Sequence, residues 1–362
     1  MMIKRKVIDK VDFFVILRYI FYVKKAYLYY TLFFIFSITL IFGFKLFASE
    51  KTKTSSPEFL ANQNFIFSDI SYSMKNIFGS NTTDLDFLKS EPELLWIFKN
   101  SYPNISFQST FDFEQKDWKI EISQNDKSIT LYWADGKFLP QKELYRKDLY
   151  SPFLYSYPKE VPDPKDFTEE DIKHIKEYTS TDNRSESLGT AQFLYNFIYD
   201  VENRVKTESH IKGHTFLKKR TNAHQYIHGK LDLVQADIYE AAKSNAEVQS
   251  FLDKLDSADS YAWRSISDSG NRSFHSMGLA IDVLPKGWGQ KNLYWAWRRD
   301  IDPQNWMLLD LDRRWMPPAK VIEIFEKHGF IWGGKWIIWD NMHFEYRPEV
   351  ILYNKVILGF AD

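Results

Sequence analysis

The stretch "RSFHSMGLAIDV", residues 272–283, places two ionisable side chains beside an apolar segment. His275 and Asp282 lie seven residues apart, and residues 279–284 alternate in the way of a β-strand. An aspartate within an apolar strand is costly to bury unless it is paired with a cation. The stretch therefore predicts either a salt bridge or turn contact at Asp282, or a metal site that also uses His275.

A second strand-like stretch, "DNMHFEYRP" at residues 340–348, carries further ionisable side chains. His343, Glu345 and Arg347 alternate along it and share one face. His343 adds a second histidine to the histidine and aspartate of the first stretch. Two histidines and one carboxylate with an open fourth position form a typical catalytic zinc site. Glu345 is expected either to orient the ring of His343 or to form an ordinary salt bridge along the strand.

Two more residues suit hydrolysis at such a site. Asp340 lies three residues before His343, close to the expected metal without being needed as a ligand. A general base requires that position. Arg264 lies eleven residues before His275, and a fixed guanidinium is suited to polarise a carbonyl group and hold a developing oxyanion. The sequence thus offers a base and an oxyanion partner beside the candidate metal ligands.

The composition of the chain excludes several kinds of site. The 362 residues include 47 Lys and Arg against 48 Asp and Glu, so the chain lacks the basic excess of a nucleic-acid binder. There is no cysteine, which excludes disulfides, thiolate zinc sites and a cysteine nucleophile. Any metal must therefore be held by histidine, aspartate or glutamate.

Residues 26–44 predict a membrane anchor, because 19 successive residues carry no charge. Residues 1–25 contain seven Lys or Arg and only two Asp, which favours a cytoplasmic N-terminus and an extracytoplasmic remainder. A cleaved signal peptide is the main alternative, but Leu46 is a poor match to the small residue expected before a cleavage site at Ala48. A buried core helix fits less well, since the segment has no polar face. We expect a single-pass protein of the cytoplasmic membrane.

The rest of the chain divides into two predicted regions after the anchor region of residues 1–49. Period-two alternation predicts three strands, at residues 104–113, 117–123 and 128–133. Residues 50–165 are therefore expected to form a linker and a small β-rich accessory domain, which ends at a cluster of prolines.

Residues 166–362 mix helical patterns with short strands. Helices are predicted within residues 190–205, 230–243 and 317–329. No regular strand–helix–strand rhythm connects them, which predicts an α+β fold with a small antiparallel sheet and helices holding the metal site. A tryptophan-rich segment, residues 285–316, is expected either to wall a substrate groove or to pack in the core.

Four other histidines are also spaced four residues apart in pairs. His210 and His214 form one pair, and His224 and His228 form the other. Histidines at this spacing on a helix can bind zinc, but the second pair lacks the accompanying glutamate, and a glycine weakens each helix. We interpret all four as structural or surface residues.

Several separated motifs resemble one known family, the zinc D-alanyl-D-alanine carboxypeptidases. That family also contains L-alanyl-D-glutamate endopeptidases of the bacterial wall and is VanY-like in pattern. Its motif Ser-x-His-x-x-Gly-x-Ala-x-Asp is matched from Ser273 to Asp282, and its distant acid-x-x-His is matched by Asp340 and His343. The lead-in "GFIWGG", residues 329–334, matches as well. The resemblance covers roughly residues 215–350 and rests on motifs in the right order.

The resemblance implies a zinc peptidase that acts on peptidoglycan stem peptides. It implies Zn²⁺ ligands at His275, Asp282 and His343, a base at Asp340 and an oxyanion partner at Arg264.

The resemblance also implies a supporting role for Ser273 near the ligand loop. Asp340 stands where many carboxypeptidases of the family carry glutamate, which tilts the expected cleavage toward an internal bond of the endopeptidase type.

Two alternatives from other classes remain open. The same zinc scaffold would be a non-catalytic peptidoglycan-binding module if the site had lost its reactivity. A structural envelope protein, with the β-rich segment as its working part, is the second. For both the peptidase and the peptidoglycan-binding module, the expected partners are stem peptides and the cytoplasmic membrane, with no nucleic acid.

Overall fold

The structure is a computed structural model that describes residues 91–266, 271–357 and 359. All of these residues lie within one compact unit, Glu58–Asp362. The predicted anchor at residues 26–44 lies outside the described residues and stays a prediction. Within the part that is described, no helix combines the length and apolar character needed to cross a bilayer.

The described residues form a mixture of helices and short strands, which confirms the α+β class. The α-helices are α1 (Leu95–Ser101), α2 (Glu169–Tyr178), α3 (Thr181–Glu186), α4 (Phe193–Tyr199), α5 (Arg204–His210), α6 (Gln225–Ala242), α7 (Ala246–Lys254), α8 (Trp295–Ile301), α9 (Ala319–Lys327) and α10 (Pro348–Ile357). The strands are β1 (Ser106–Asp112), β2 (Asp117–Gln124), β3 (Lys127–Tyr132), β4 (Tyr150–Ser151), β5 (Gly189–Thr190), β6 (Ile211–Phe216), β7 (Lys219–His224), β8 (Leu255–Asp259), β9 (Ala280–Pro285), β10 (Phe330–Trp332) and β11 (His343–Tyr346). Short 3-10 turns span Gln141–Leu149, Pro164–Asp166, Phe274–Met277, Trp288–Gln290, Trp306–Leu308, Leu311–Arg313 and Gly333–Lys335.

Two antiparallel sheets dominate the unit. Strands β1, β2 and β3 form an antiparallel meander in that order. The second sheet has the order β10-β11-β9-β8 and is antiparallel throughout. Strands β6 and β7 form a separate hairpin, and β4 pairs with β5 in parallel. The predicted meander and the predicted small antiparallel sheet are both present.

The meander follows the alternation of its sequence. Ile120 and Ile122 on β2 are fully buried, and Leu131 on β3 lies opposite Ile120 with no exposed surface. The intervening Lys119 and Glu121 face solvent. The inner face packs into an apolar core that also contains side chains of α6, α9 and β11. Residues on both sides of the predicted boundary at 165/166 therefore share one core, while the boundary itself stays a prediction.

The prediction of one helix within residues 190–205 is wrong. The segment contains the whole of one helix, α4, and the start of another, α5. Asp200 ends α4 in the left-handed conformation, with φ 54°, and Asn203 caps α5 by accepting a hydrogen bond from the backbone NH of Lys206 at 3.0 Å. Aspartate and asparagine tolerate these conformations and compete for backbone groups, so local capping interrupts a helical apolar pattern.

Candidate metal centre

Strand pairing brings two of the predicted ligands side by side. In the register of β11 with β9, His343 lies directly opposite Asp282. Side chains at directly opposite positions of an antiparallel pair are close neighbours. The next residue of β11, Phe344, stacks on Phe325 of α9 with ring centroids 3.8 Å apart and fixes the opposite face of the strand in the apolar core. The sheet register therefore sets the spacing of the two ligands.

A capped turn presents the third predicted ligand. His275 lies in the 3-10 turn Phe274–Met277, and the side chain of Ser273 caps this turn by accepting from the backbone NH of His275 at 3.2 Å. Gly278 ends the turn with φ 67°, and a Cβ there would lie 2.5 Å from Ile211 Cδ1. Only glycine suits that position. Ser273 and Gly278 of the motif thus shape the loop that carries His275.

The three ligand atoms form a nearly equilateral triangle. His275 Nε2 lies 3.0 Å from Asp282 Oδ1 and 3.0 Å from His343 Nδ1, and His343 Nδ1 lies 3.1 Å from Asp282 Oδ1. Ligands of a tetrahedral zinc ion, bound at about 2.0 Å, are separated by about 3.3 Å. His275 and His343 are buried and expose only 3% and 7% of their surface, and Asp282 is half-buried. The triangle has the size of one face of a zinc coordination shell.

The outer contacts of both rings fix which nitrogen carries hydrogen. His275 Nδ1 lies 2.5 Å from the carbonyl oxygen of Ser260, which can only accept, so Nδ1 must donate. His343 Nε2 lies 3.1 Å from Glu345 Oε2 and donates to it in the same way. In the neutral rings the two inner nitrogens are then lone-pair acceptors that face Asp282 Oδ1. Three acceptors that converge on one point could hold a metal ion, and the donor set fits Zn²⁺.

The carboxylates around the triangle favour positive charge at its centre. Burial by itself lowers the pKa of His343, but Asp282 and Glu345 outweigh it and raise this pKa to about 10. Burial likewise raises the pKa of Asp282, yet the two imidazoles bring it well below its ordinary value. Both shifts show that the carboxylates favour a positive charge at the centre, which a protonated imidazole or a metal ion would supply.

Asp340 lies next to the triangle with one oxygen unengaged. Its Oδ1 is enclosed and has no hydrogen-bond partner among the described residues. Burial raises the pKa of Asp340 to about 7, with a smaller raising effect from Asp282, while His343 and Arg264 act in the opposite direction. A carboxylate with a pKa near neutrality and an unengaged oxygen is suited to accept and return a proton.

The paired glycines of the lead-in motif make room for this aspartate. The backbone NH of Asp340 donates to Gly333 O at 3.0 Å. A Cβ at Gly333 would lie 2.8 Å from Asp340 O, and one at Gly334 would overlap the ring of Trp332. Glycine at both positions therefore allows the chain to fold closely around the predicted base.

Arg264 lies in the exposed segment that follows β8. Its carbonyl oxygen accepts from the backbone NH of Ser273 at 3.4 Å, which ties it to the turn that carries His275. Its positive charge is one of those that lower the pKa of Asp340. The charge of Arg264 therefore acts on the predicted base, and its role as the oxyanion partner stays a prediction.

The tryptophan-rich segment contains both buried and exposed rings, and its role as the wall of a substrate groove stays a prediction. Trp295 is buried in an apolar cluster. Trp288 and Trp297 are 40% and 42% exposed, and their rings lie 5.7 Å apart on a pocket of about 240 Å³. Tyr294, which also lines this pocket, pairs through its backbone with Asp340. An open aromatic cleft therefore adjoins the predicted base.

The other four histidines lie apart from the triangle. His224 Nε2 donates to the carbonyl oxygen of Tyr199 at 3.0 Å, and burial lowers the pKa of His224 to about 4. His228 stacks on His214 with ring centroids 4.3 Å apart. These contacts agree with the interpretation of the four histidines as structural or surface residues.

Sequence reasoning missed the residues that contact the predicted ligands on the side away from the metal site. Ser260 follows β8, whose sequence "LDSAD" has no apolar alternation and gave no sign of a strand. Arg347 was visible on the face shared by His343 and Glu345, but its contact with the carbonyl oxygen of Phe153 joins residues 194 positions apart. The period-two pattern indicates that His343, Glu345 and Arg347 share one face of the strand, but it does not show which residues contact that face.

A buried centre of two histidines and one aspartate, with a carboxylate beside it, is the chemical arrangement of a metal-dependent hydrolase. The family model of the D-alanyl-D-alanine carboxypeptidases matches residues 267–346, which include the triangle and Asp340. This match supports a peptidase domain. A second family model, a domain of unknown function, matches residues 94–155. No curated protein and no solved structure matches the chain.

Proposed function

We propose that this chain is a membrane-anchored zinc peptidase that hydrolyses the stem peptides of peptidoglycan. One observation carries the proposal. The three acceptor atoms of His275, Asp282 and His343 converge on one point, beside the unengaged oxygen of Asp340. This arrangement lies within the segment matched by the carboxypeptidase family model.

The chain's own residues divide the work of hydrolysis. His275, Asp282 and His343 would hold the zinc ion. When bound, that ion supplies a Lewis acid and lowers the pKa of water. Asp340 accepts the proton of the attacking water and delivers it to the leaving amine. Arg264 holds the oxyanion that develops on the scissile carbonyl.

Two cleavage sites are consistent with this chemistry. A D-Ala-D-Ala carboxypeptidase removes the terminal alanine, and an L-Ala-D-Glu type endopeptidase cuts an internal bond. Aspartate at position 340 favours the internal bond weakly. The aromatic cleft of Trp288 and Trp297 adjoins the base and offers a surface for a substrate that extends beyond the cleaved bond.

The decisive experiment measures the products of the purified full-length chain. The zinc-loaded protein is incubated with peptidoglycan fragments of defined stem length, and the products are weighed by mass spectrometry. Asp340→Asn is the matched control, because it keeps the shape of the side chain and removes its basicity. Metal content is measured on the same samples.

Each outcome has a distinct meaning. Loss of one terminal alanine identifies a carboxypeptidase, and a cut between the first and second stem residues identifies an endopeptidase. Bound zinc without any mass change would overturn the peptidase and leave the peptide-binding module. A protein that takes up no zinc would overturn the metal centre.

The proposed location is the outer side of the cytoplasmic membrane, with residues 26–44 as a single-pass anchor. The motivation is the charge asymmetry around that uncharged segment. Protease added to intact spheroplasts should digest the region after residue 45 and spare the first 25 residues. Full protection of the later region would place it in the cytoplasm and remove the anchor proposal.

A further inference from the structure

A chain of charged side chains continues inward from His343. Glu345 Oε2 accepts from His343, and Glu345 Oε1 lies 3.2 Å from Arg347 Nη1. Arg347 Nε in turn donates to Glu349 Oε1 at 2.6 Å. We call Glu345, Arg347 and Glu349 the buried polar chain. It extends from a predicted metal ligand on β11 to the first turn of α10.

The far end of the buried polar chain is closed by the segment that matches the domain of unknown function. Phe153 O accepts from Arg347 Nη2 at 2.9 Å, and the hydroxyl of Tyr102 donates to Glu349 Oε2 at 2.8 Å. Tyr195 of α4 supplies the second hydroxyl to Glu349, at 2.6 Å. Two of these three closing contacts therefore come from residues 94–155.

The tyrosine at this end remains a donor at neutral pH. Burial, and then the negative charge of Glu349, raise the pKa of Tyr102 well above its ordinary value. The hydroxyl therefore keeps its proton, and its hydrogen bond to the carboxylate is charge-assisted.

The burial of these groups makes their partners necessary. Glu345, Arg347 and Glu349 are 6%, 3% and 0% exposed. A buried charge left without a partner is strongly destabilising, and a polar network becomes rigid only when every member is satisfied. A guanidinium carries five donors in a fixed fork, so Arg347 needs the carbonyl oxygen of Phe153 as well as the two carboxylates. Removing one end contact thus loosens the arginine that holds Glu345.

We propose that the segment 94–155 is a working part of the metal centre, because it positions His343 through the buried polar chain. Tyr102 is a positioning residue in this arrangement and contacts neither metal nor substrate. Hydrogen-bond partners of ligating histidines affect metal affinity by roughly 10- to 100-fold, and the effect of Tyr102 should be smaller because three residues intervene. The inference rests on the proposed metal site, but it is tested by zinc binding and does not require peptide cleavage.

The same segment offers a matched control. Tyr132 is also buried, and its hydroxyl donates to a carboxylate, Asp112 Oδ2, at 2.8 Å. This pair lies on the meander and does not touch the buried polar chain. Tyr102→Phe and Tyr132→Phe therefore each delete one hydroxyl group from the same segment. Only Tyr102→Phe removes a contact of the buried polar chain.

The experiment measures zinc affinity of the full-length chain by chelator competition, in the parent and in the Glu345→Gln background. Tyr102→Phe should weaken zinc binding about threefold in the parent, which is below the range of roughly 10- to 100-fold for direct partners of a ligand. It should have no further effect once Glu345 is changed, since the connection is already broken. Tyr132→Phe should leave affinity unchanged in both backgrounds. The Nε2–H resonance of His343 in the zinc-loaded protein should shift in Tyr102→Phe alone.

Three results would overturn the inference. The first is a Tyr102→Phe protein that binds zinc as the parent does. The second is an equal loss in both backgrounds, or an equal loss in Tyr132→Phe, since either would reflect general destabilisation. The third is a parent that binds no zinc, which would also overturn the proposed function. Zinc binding without peptide cleavage would overturn only the peptidase and would leave this comparison fully interpretable.

Discussion

The two antiparallel sheets of the unit bury different kinds of side chain. The meander β1–β3 encloses an apolar inner face, whose Ile120 and Leu131 have no exposed surface. The sheet of β8 to β11 is enclosed on both faces at β11, with Phe344 in the apolar core and His343 and Glu345 among buried charges. Two antiparallel sheets of similar backbone thus differ in what they bury: the meander buries apolar side chains, and the second sheet also buries charged ones. The candidate site therefore depends on the buried charges and their partners, while the sheet sets their spacing.

The largest expected effect is at the second sheet. His343→Ala removes one of three converging ligands, so it should abolish zinc binding and peptide hydrolysis together. Metal analysis and mass spectrometry of the products check this. A variant that keeps one equivalent of zinc would show that the ion binds elsewhere. The second sheet would then no longer differ from the meander in carrying the metal ligands.

Asp340→Asn should separate chemistry from metal binding at the same sheet. The amide cannot accept the proton of the attacking water, so kcat should fall by about 10²- to 10⁴-fold. Zinc content should stay at the parent's value, because Asp340 is not one of the three converging ligands. Steady-state kinetics with metal analysis test both statements. Unchanged kcat would remove Asp340 as the base.

The acidity of Asp340 also predicts how stability varies with pH in the metal-free protein. Burial raises its pKa to about 7, above the ordinary 3.8, so the folded state holds this proton more tightly than the unfolded state does. The resulting stability is complete below pH 4 and is lost as the pH rises through 7. Relative to Asp340→Asn, the free energy of unfolding should fall by up to about 4 kcal/mol across this window.

Denaturant titrations of both metal-free proteins between pH 4 and pH 8 measure that difference. The comparison with Asp340→Asn cancels the titration of the buried groups that do not interact with Asp340. A difference that stays flat, or that rises with pH, would contradict the raised pKa.

A large-to-small change in the meander should affect stability alone. Ile120→Ala leaves a cavity in the apolar face, so the free energy of unfolding should fall by about 2–5 kcal/mol. The zinc affinity of the folded protein should be unchanged, because Ile120 does not contact the buried polar chain. Chemical denaturation and chelator competition measure the two quantities. A parallel loss of zinc affinity would show that the sheets are coupled through the apolar core.

The smallest expected effect is at the aromatic cleft. Trp297→Ala removes an exposed indole of the aromatic cleft, which should raise KM for stem peptides about three- to tenfold with kcat nearly unchanged. Tyr145→Ala, at an 82% exposed aromatic residue of the Gln141–Leu149 turn, is the control. Equal KM values for the parent and Trp297→Ala would assign the cleft no role in substrate binding.

Local patterns allowed the centre of the site to be predicted. His275, Asp282 and His343 belong to short motifs with strand alternation, and alternation determines which side chains share a face. Asp340 was proposed as the base because it lies three residues before His343 in the sequence, and this role stays a prediction. These features depend on residues within one turn or one strand, which a sequence shows directly.

The surroundings of the site could not be read in the same way. Ser260 contacts His275 because β8 forms the edge of the sheet, and strand order is not encoded in a five-residue segment. Tyr102 reaches Glu349 across 247 residues, a pairing that only the packing of α1 against α10 creates. The helix prediction over residues 190–205 failed because local caps at Asp200 and Asn203 outweighed the apolar periodicity.

The hydrogen bond between Tyr102 and Glu349 has a consequence for the order of events during synthesis. Tyr102 leaves the ribosome 247 residues ahead of its partner, so this contact cannot form until α10 has been made. Contacts so distant in sequence close large loops and slow folding. Until α10 docks, the early segment stays incomplete and the support behind His343 is missing. Stable metal uptake is therefore expected late in maturation, when the newly made chain has closed on itself.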